Sequence, residues 1–450
     1  MKRRDFVKRV GAATAGAFAV PYILPSGRLF AATGSRLANH VVFCLFAGGV
    51  RNLDSIQKAE GNLMRGILNG TEAISPDIAP AMQPLPASPL PQALQNYGTL
   101  FNEFRYGAGP TGHYNGHATA ITGNYTNADL SIRDNPNMPT VFEYYRKHNS
   151  PQQTALNAWW VSNSLGPFPS LNYSKYSGYG SAYGANFIAP TFLVSLDSYD
   201  AIGNPHLFSS TEEAVVKNIK SFMDNNFPVS YENNSAGVTN TEADAVIVNA
   251  FINDLFTRAV AGQFNNPWNL PANVMSNDMY NVFFAEEIIK YLATLNRAPE
   301  LLVVNMQDVD ICHTNFTQYC NNLRKADWAV AHLWNTIQAT PGMANDTILI
   351  VAPEHGRNSL ANSIVDAYGR FALDHTAPEV TQGGDQVARE IFCLVAGPPS
   401  VVHQAQVITA VQGESIEIVP LISRILGYDN DIPSGLLRPY TNCAVQQAMF

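Results

Sequence analysis

The chain has 450 residues, of which 46% are hydrophobic and 14% charged, and it carries a net charge of −9. This suits one large α/β domain with insertions, or two domains, and allows a sizeable core. No run of about 18 apolar residues follows the N-terminal segment, so no later transmembrane helix is expected, and the acidic balance makes a nucleic-acid partner unexpected.

The N-terminus is read separately. Lys2, Arg3, Arg4 and Lys8 form a charged region with twin arginines, 11–24 is moderately apolar, and Ala31 and Ala32 are small residues near a cleavage point. This resembles a Tat export signal. The expectation is a bacterial protein exported to the periplasm or secreted, with the Tat translocase as partner during export and membrane contact only through the signal segment if it stays uncleaved. No cysteine closely follows the apolar stretch, so a lipoprotein anchor is not expected. Residues 1–32 are therefore set aside from the domain at 33–450. They hold six basic residues and one acid, and their removal takes the net charge from −9 to −14.

The remaining chain opens with an apolar run at 40–46 that ends in Ala47, Gly48 and Gly49, as expected for a central strand of a parallel sheet. Residues 70–97 are rich in Pro, Ala and Ser and read as a loop or insertion. In 107–125, glycines surround His113 and His117, and 116–121 begins a helix. Residues 138–147 read as a helix with Pro139 and Thr140 at its start. A strand is expected at 155–161. The Gly/Ser/Tyr/Pro-rich stretch 164–190 is either an ordered surface loop or an aromatic rim at a substrate entrance.

Helical patterns follow at 211–225, 241–263 and 278–297, with Thr211, Glu213, Thr241 and Glu242 supplying caps and acids. They separate two groups of strands, so roughly 164–298 is expected to be a helical insertion or cap. A strand at 301–305 runs into Asp308, Asp310 and His313. The helix at 315–339 carries an apolar stripe of Phe316, Tyr319, Leu323, Trp328, Ala331 and Trp334. The strand at 348–351 ends at Pro353, followed directly by Glu354 and His355. The last strong strand is 391–396, and 415–426 is an amphipathic helix with Gly427 as its C-cap. Alternating strands and helices predict a mostly parallel α/β sheet. Cys44 and Cys393 are expected as buried thiols; Cys312 and Cys320 could pair in an oxidising compartment, though their spacing does not decide it.

Ligands of open α/β sheets bind beyond the carboxyl ends of the strands. Three carboxylate–imidazole clusters are candidates: Asp308, Asp310 and His313; Glu354 and His355; and Asp374 and His375, in a loop after the strand at 348–351. Mixed Asp and His ligands suit zinc or a pair of divalent cations, and two such ions stabilise the attacking and leaving oxygens of an in-line displacement.

In this order, the elements resemble the alkaline phosphatase superfamily, which includes sulfatases, nucleotide pyrophosphatases and cofactor-independent phosphoglycerate mutases. Residues 41–54 look like its first strand and following loop. Gly116–Tyr125 is similar to its N-H-A-T-L-L-T-G-x-Y segment, 138–147 to its P-T-x-F-E-x-L-R-K helix, and 348–356 to its strand ending in S-D-H-G. Asp310 and His313 resemble its D-x-x-x-H metal pair, one residue short, and 415–426 its D-I-x-P-T-I-L-x-L-L-G helix. The resemblance implies a three-layer sandwich with a central mostly parallel sheet and a helical insertion. It implies one metal held by Asp308 or Asp310 with His313 and His375, and a second held by Glu354 and His355 with His113 as an optional third ligand. Zinc is the expected ion.

The sequence also departs from that pattern. Gly48 stands where the first strand supplies a metal-binding Asp, Asp54 would have to reach back, and Glu354 is one methylene longer than the usual Asp. The position of the family's nucleophile is occupied by His113, and Thr111 lies two residues away. The implied activity is metal-dependent hydrolysis of phosphate or sulfate esters, small-molecule or glycan, with water or Thr111 attacking and His113 or His117 as general acid or base. The alternative is a non-catalytic exported binding or assembly protein on the same fold.

Overall fold

The computed structural model describes residues 34–128, 134–149, 155–162, 171–190, 238, 240–271, 274–375 and 385–450. The expected signal segment, the helix at 211–225 and much of 164–240 lie outside the described residues. Among the described residues no helix is long and apolar enough to cross a membrane.

Among the described residues eight strands form one sheet: β1 (His40–Phe46), β2 (Gly98–Arg105), β3 (Ala158–Val161), β4 (Asn186–Ile188), β5 (Leu301–Met306), β6 (Thr347–Pro353), β7 (Glu390–Ala396) and β8 (Gln406–Glu414). Their order is β4-β3-β5-β1-β6-β7-β2-β8. All neighbouring pairs are parallel except those on either side of β7. The sheet is therefore mostly parallel, as the alternating pattern predicts, with β7 alone reversed.

The helices are α1 (His113–Thr122), α2 (Val141–His148), α3 (Glu242–Val260), α4 (Asn277–Thr294), α5 (Phe316–Ala339) and α6 (Ile418–Ile425). They cover both faces of the sheet. Val42, Cys44 and Phe46 of β1 pack with Phe284 and Ile288 of α4 and Leu323 and Trp334 of α5. The alternate residues Val41, Phe43 and Leu45 pack with Ile121 of α1, Phe142 of α2 and Ile422 of α6. A strand covered on both faces has no polar side, which is why β1 reads as an unbroken apolar run. The result is a three-layer α/β arrangement.

Within the stretch expected as an insertion, β4 extends the sheet edge beside β3, and α4 is buried against the sheet. These parts belong to the layers. Tyr179 and Tyr183 pack on the end of α2: Lys147 Nζ sits 4.0 Å from the Tyr179 ring and 5.5 Å from the Tyr183 ring. All five cysteines are buried free thiols, so Cys312 and Cys320 do not pair.

Three strand ends define the site. Phe46 of β1 lies opposite Met306 of β5 and Pro353 of β6, so the three central strands end level. The residues that follow them emerge together at one edge of the sheet, and α1 delivers its N-terminus to the same place.

Candidate metal centre

Each side chain of the centre is placed by a local feature. His113 is the first residue of α1, whose C-terminus closes on Gly123 in the left-handed conformation (φ +69°). Gly116, one turn on, allows this helix to approach the end of β6. A Cβ there would lie 2.9 Å from Glu354 Cβ and 3.0 Å from His355 Cδ2. After β5 the chain turns through a short 3-10 helix, Asp308–His313, that brings Asp310 and His313 onto one side. Glu354 and His355 follow β6 directly, and Asp374 and His375 return on the loop beyond it.

Two donor groups result. Ligand atoms of His113, Asp310, His313 and His375 lie within 4.8 Å of one another, as do those of His113, Glu354 and His355. Asp310 Oδ1 is 3.1 Å from His313 Nε2 and 3.6 Å from His375 Nε2, and Asp310 Oδ2 is 3.1 Å from His113 Nε2. Glu354 Oε1 is 2.8 Å from His113 Nδ1 and 3.3 Å from His355 Nε2.

The hydrogen bonds on the far side of three rings fix which nitrogen faces inward. His355 Nδ1 donates to the Gly356 carbonyl at 2.8 Å, and His375 Nδ1 donates to the Thr111 carbonyl. A carbonyl only accepts, so both Nδ1 atoms carry the proton and both Nε2 atoms offer a lone pair. Those two Nε2 atoms are buried and have no hydrogen-bond partner, while Glu354 Oε2 lies against His117 Nδ1. His313 Nδ1 is 2.6 Å from Asp374 Oδ1, the carboxylate–imidazole arrangement that orients metal-binding histidines. Buried lone pairs with no donor opposite them are costly unless a cation takes them. The donor set of imidazole nitrogen and carboxylate oxygen suits zinc or a related divalent ion.

Electrostatics agree with that assignment. Burial, helped by His113 and Arg357 and opposed by Asp310, lowers the His375 pKa to about 4. Burial likewise holds His355 well below the ordinary range, against the pull of Glu354. Burial opposes charge on Asp310, yet the surrounding rings of His113, His313 and His375 keep it far below the carboxylate range. Glu354, also buried, is held low by His117, His355 and His113. Burial works against charge on His113 too, but Glu354 and Asp310 outweigh it and raise its pKa to about 10.

Other candidates are placed elsewhere. Asp308, the alternative partner of His313, is turned away: its carboxylate accepts from Asn277 Nδ2 and the Asp278 amide, both at 3.0 Å. Asp54 does not reach back, because Arg51 holds it in two bonds of 2.9 and 2.7 Å and Tyr319 donates to it at 3.2 Å. Thr111 is buried and its hydroxyl donates to the His375 carbonyl. His117 is buried below the cluster, with Nε2 2.8 Å from Asn305 Oδ1 and Nδ1 against Glu354 Oε2.

Arg357 escaped the sequence reading. Its fully buried guanidinium donates to the carbonyls of Gly48, Gly49, Leu373 and Val309 and to Asp310 Oδ1, which stitches together the loops after β1, β5 and β6. Its position two residues after His355 was the available signal.

No protein-family model matches the chain, and no curated protein sequence does. Among solved structures, the chain is similar to a protein in the alkaline phosphatase superfamily from Vibrio parahaemolyticus, at 12% identity over 96% of this chain and 79% of the other, with a TM-score of 0.43. It is similar to the lipoteichoic acid synthase LtaP from Listeria monocytogenes, at 10% identity, 91% and 76% coverage and a TM-score of 0.46. A third is the phosphonate monoester hydrolase from Silicibacter pomeroyi, at 14% identity, 88% and 78% coverage and a TM-score of 0.39.

Proposed function

We propose that this chain is an exported, metal-dependent hydrolase of phosphate or sulfate esters. The observation that carries the reading is the convergence of Asp310, His313, His375, Glu354, His355 and His113 at the level ends of β1, β5 and β6, with buried lone pairs aimed inward. The order of motifs along the sequence supports the same reading, and the twin-arginine segment at 1–32 supports export by the Tat pathway to the periplasm or beyond.

Asp310, His313 and His375 would hold one divalent ion, and Glu354 and His355 another; zinc fits the donors best. Such ions supply positive charge that stabilises the oxygens of an ester undergoing displacement. The chain's own residues decide access. The side chains of His113, Asp310 and His313 keep 27, 37 and 31% of their surface exposed, while Glu354 and His355 keep none. Substrate therefore approaches over Asp310 and His313, and Glu354 and His355 form the floor. Thr111 is buried with its hydroxyl proton on the His375 carbonyl, so water is the better-placed source of the attacking oxygen. Arg357 holds Asp310 in register and excludes water from beneath it.

The test is to load the full chain with zinc, manganese or cobalt and to assay a panel of aryl phosphate diesters, phosphate monoesters and sulfate esters, with His355→Ala as control. Turnover in the loaded protein and none in the variant is the expected result. Protein that binds metal but turns over nothing would instead favour the second reading, an exported binding or assembly protein. The specific observation behind that reading is His113, which occupies the nucleophile position without a hydroxyl and faces a carboxylate from each ring nitrogen.

A further inference from the structure

His113 is the one residue common to both donor groups among the described residues. Its Nε2 faces Asp310 at 3.1 Å and its Nδ1 faces Glu354 at 2.8 Å. We propose that His113 is a bridging ligand, with Nε2 completing a site made by Asp310, His313 and His375 and Nδ1 completing a second made by Glu354 and His355.

The two carboxylates do not offer an alternative bridge. Asp310 belongs to the first group and Glu354 to the second, and neither belongs to both. Asp310 Oδ1 also accepts from Arg357 Nη2 at 3.0 Å, and Glu354 Oε1 accepts from the Gly48 amide at 2.5 Å. The ring nitrogens of His113, by contrast, point outward in different directions. Each lies beside a carboxylate and near inward-facing nitrogens of other histidines: the His113 ring centroid is 4.6 Å from that of His375 and 5.9 Å from that of His355. No backbone carbonyl competes for either nitrogen of this ring, unlike those of His355 and His375.

The position of the ring is built. His113 opens α1, and the helix lies close to Glu354 and His355 only because Gly116 has no side chain. A hydroxyl at position 113 would be too short to touch both groups, whereas an imidazole spans them. To hold a cation at each nitrogen, the ring would give up both N–H protons to solvent. Two divalent ions with Asp310, Glu354 and the ring so deprotonated then leave one net positive charge, which suits an anionic ester. The imidazole would hold the two ions on opposite sides of its ring, each beside one carboxylate. The inference rests on the metal-dependent reading above but is separable from it.

The experiment uses the full chain loaded with copper(II), whose preference for imidazole and carboxylate donors fits the site. Metal content and the low-temperature electron paramagnetic resonance spectrum are read together. The expected result is two ions per chain with most of the signal lost to exchange coupling through the ring. In His113→Gly the affinities for both ions fall by roughly 100-fold or more, since even outer partners of a metal ligand are worth 10- to 100-fold, and added imidazole restores both ions and the coupling. Two uncoupled ions in the wild type, or loss of only one ion in the variant, overturns the bridge and leaves the hydrolase reading standing. A single ion in the wild type does the same. No bound ion overturns both. The wild-type spectrum decides the matter even if the glycine variant fails to fold.

Discussion

The amide of Gly48 donates to Glu354 Oε1 at 2.5 Å, tying the end of β1 to the carboxylate after β6. Gly48 has φ +95°, and a Cβ on it would lie 2.6 Å from the Asp310 amide nitrogen and 2.7 Å from Asp310 Cβ. An acidic side chain on β1 is thus excluded by the close approach of the loop that carries Asp310. Glu354 instead brings its carboxylate to the backbone amide at the end of β1.

Substitution at either end of this contact should be costly. Gly48→Ala is expected to lose about 1–3 kcal/mol from its backbone conformation alone, before the clash with Asp310. Glu354→Asp withdraws the acceptor from a buried amide, a loss of about 1–3 kcal/mol. Urea unfolding of the metal-free protein measures both, and wild-type midpoints in the two variants would refute the account.

Asp374 stands behind His313 as an orienting partner, 2.6 Å from its Nδ1 and 3.1 Å from Asn362 Nδ2. Asp374→Asn should weaken metal binding by about 10- to 100-fold with little change in folding, because its carboxylate is 42% exposed. Competition with a chromogenic chelator gives the affinity. An unchanged constant would mean that His313 is oriented by other contacts.

Much of this arrangement was legible in the sequence, for identifiable reasons. Residues buried on both faces, such as 40–46 and 347–353, leave a continuous apolar run, and the candidate donors Glu354 and His355 stand directly after the second. Thr140 was readable as a cap, and the structure places it in a capping box with Glu143. Three strands were missed. β2 mixes buried and half-exposed positions around a register shift between Phe101 and Phe104, β4 has only three residues, and β8 is an edge strand with no fully buried residue. None of them has the unbroken apolar pattern of the central strands. At the site, spacing alone could not separate Asp308 from Asp310. The choice is made by Asp278, which accepts from the amides of Gln307 and Asp308 and fixes the turn so that Asp308 points back at α4. The role of Arg357 depends on carbonyls from three distant loops, which no local pattern records.

Arg357 offers a sharper test of how the site is held. Arg357→Met keeps much of the volume but strips four backbone carbonyls and Asp310 of their buried donor. Leaving a buried acceptor without its donor costs about 1–3 kcal/mol, and several carbonyls lose theirs here, so a loss of at least that order is expected. Arg357→Lys should not rescue it, because an ammonium cannot reproduce the planar fork that serves several acceptors at once. Denaturant midpoints of both variants, measured without metal, check this. A lysine variant as stable as wild type would show that charge alone suffices.

Acid sensitivity should have a component remote from the metal ligands. His148 ends α2 with Nε2 2.8 Å from Tyr179 Oη and Lys147 beside it. Burial and the Lys147 charge, opposed by Asp431, lower its pKa to about 4, against about 6.5 in an unfolded chain. The unfolded chain therefore binds this proton more readily than the folded one. The stability contributed by the neutral ring is complete above about pH 6.5 and is lost as pH falls through the window down to about 4. His148→Gln cannot titrate and keeps a polar group near Tyr179, so the variant should lose less stability than wild type between pH 7 and pH 4. Urea midpoints of both proteins in chelator-treated buffer at pH 7, 5.5 and 4 provide the comparison, since carboxylates and the metal-site histidines titrate alike in the two. Parallel curves would show that the Tyr179 contact survives protonation of the ring.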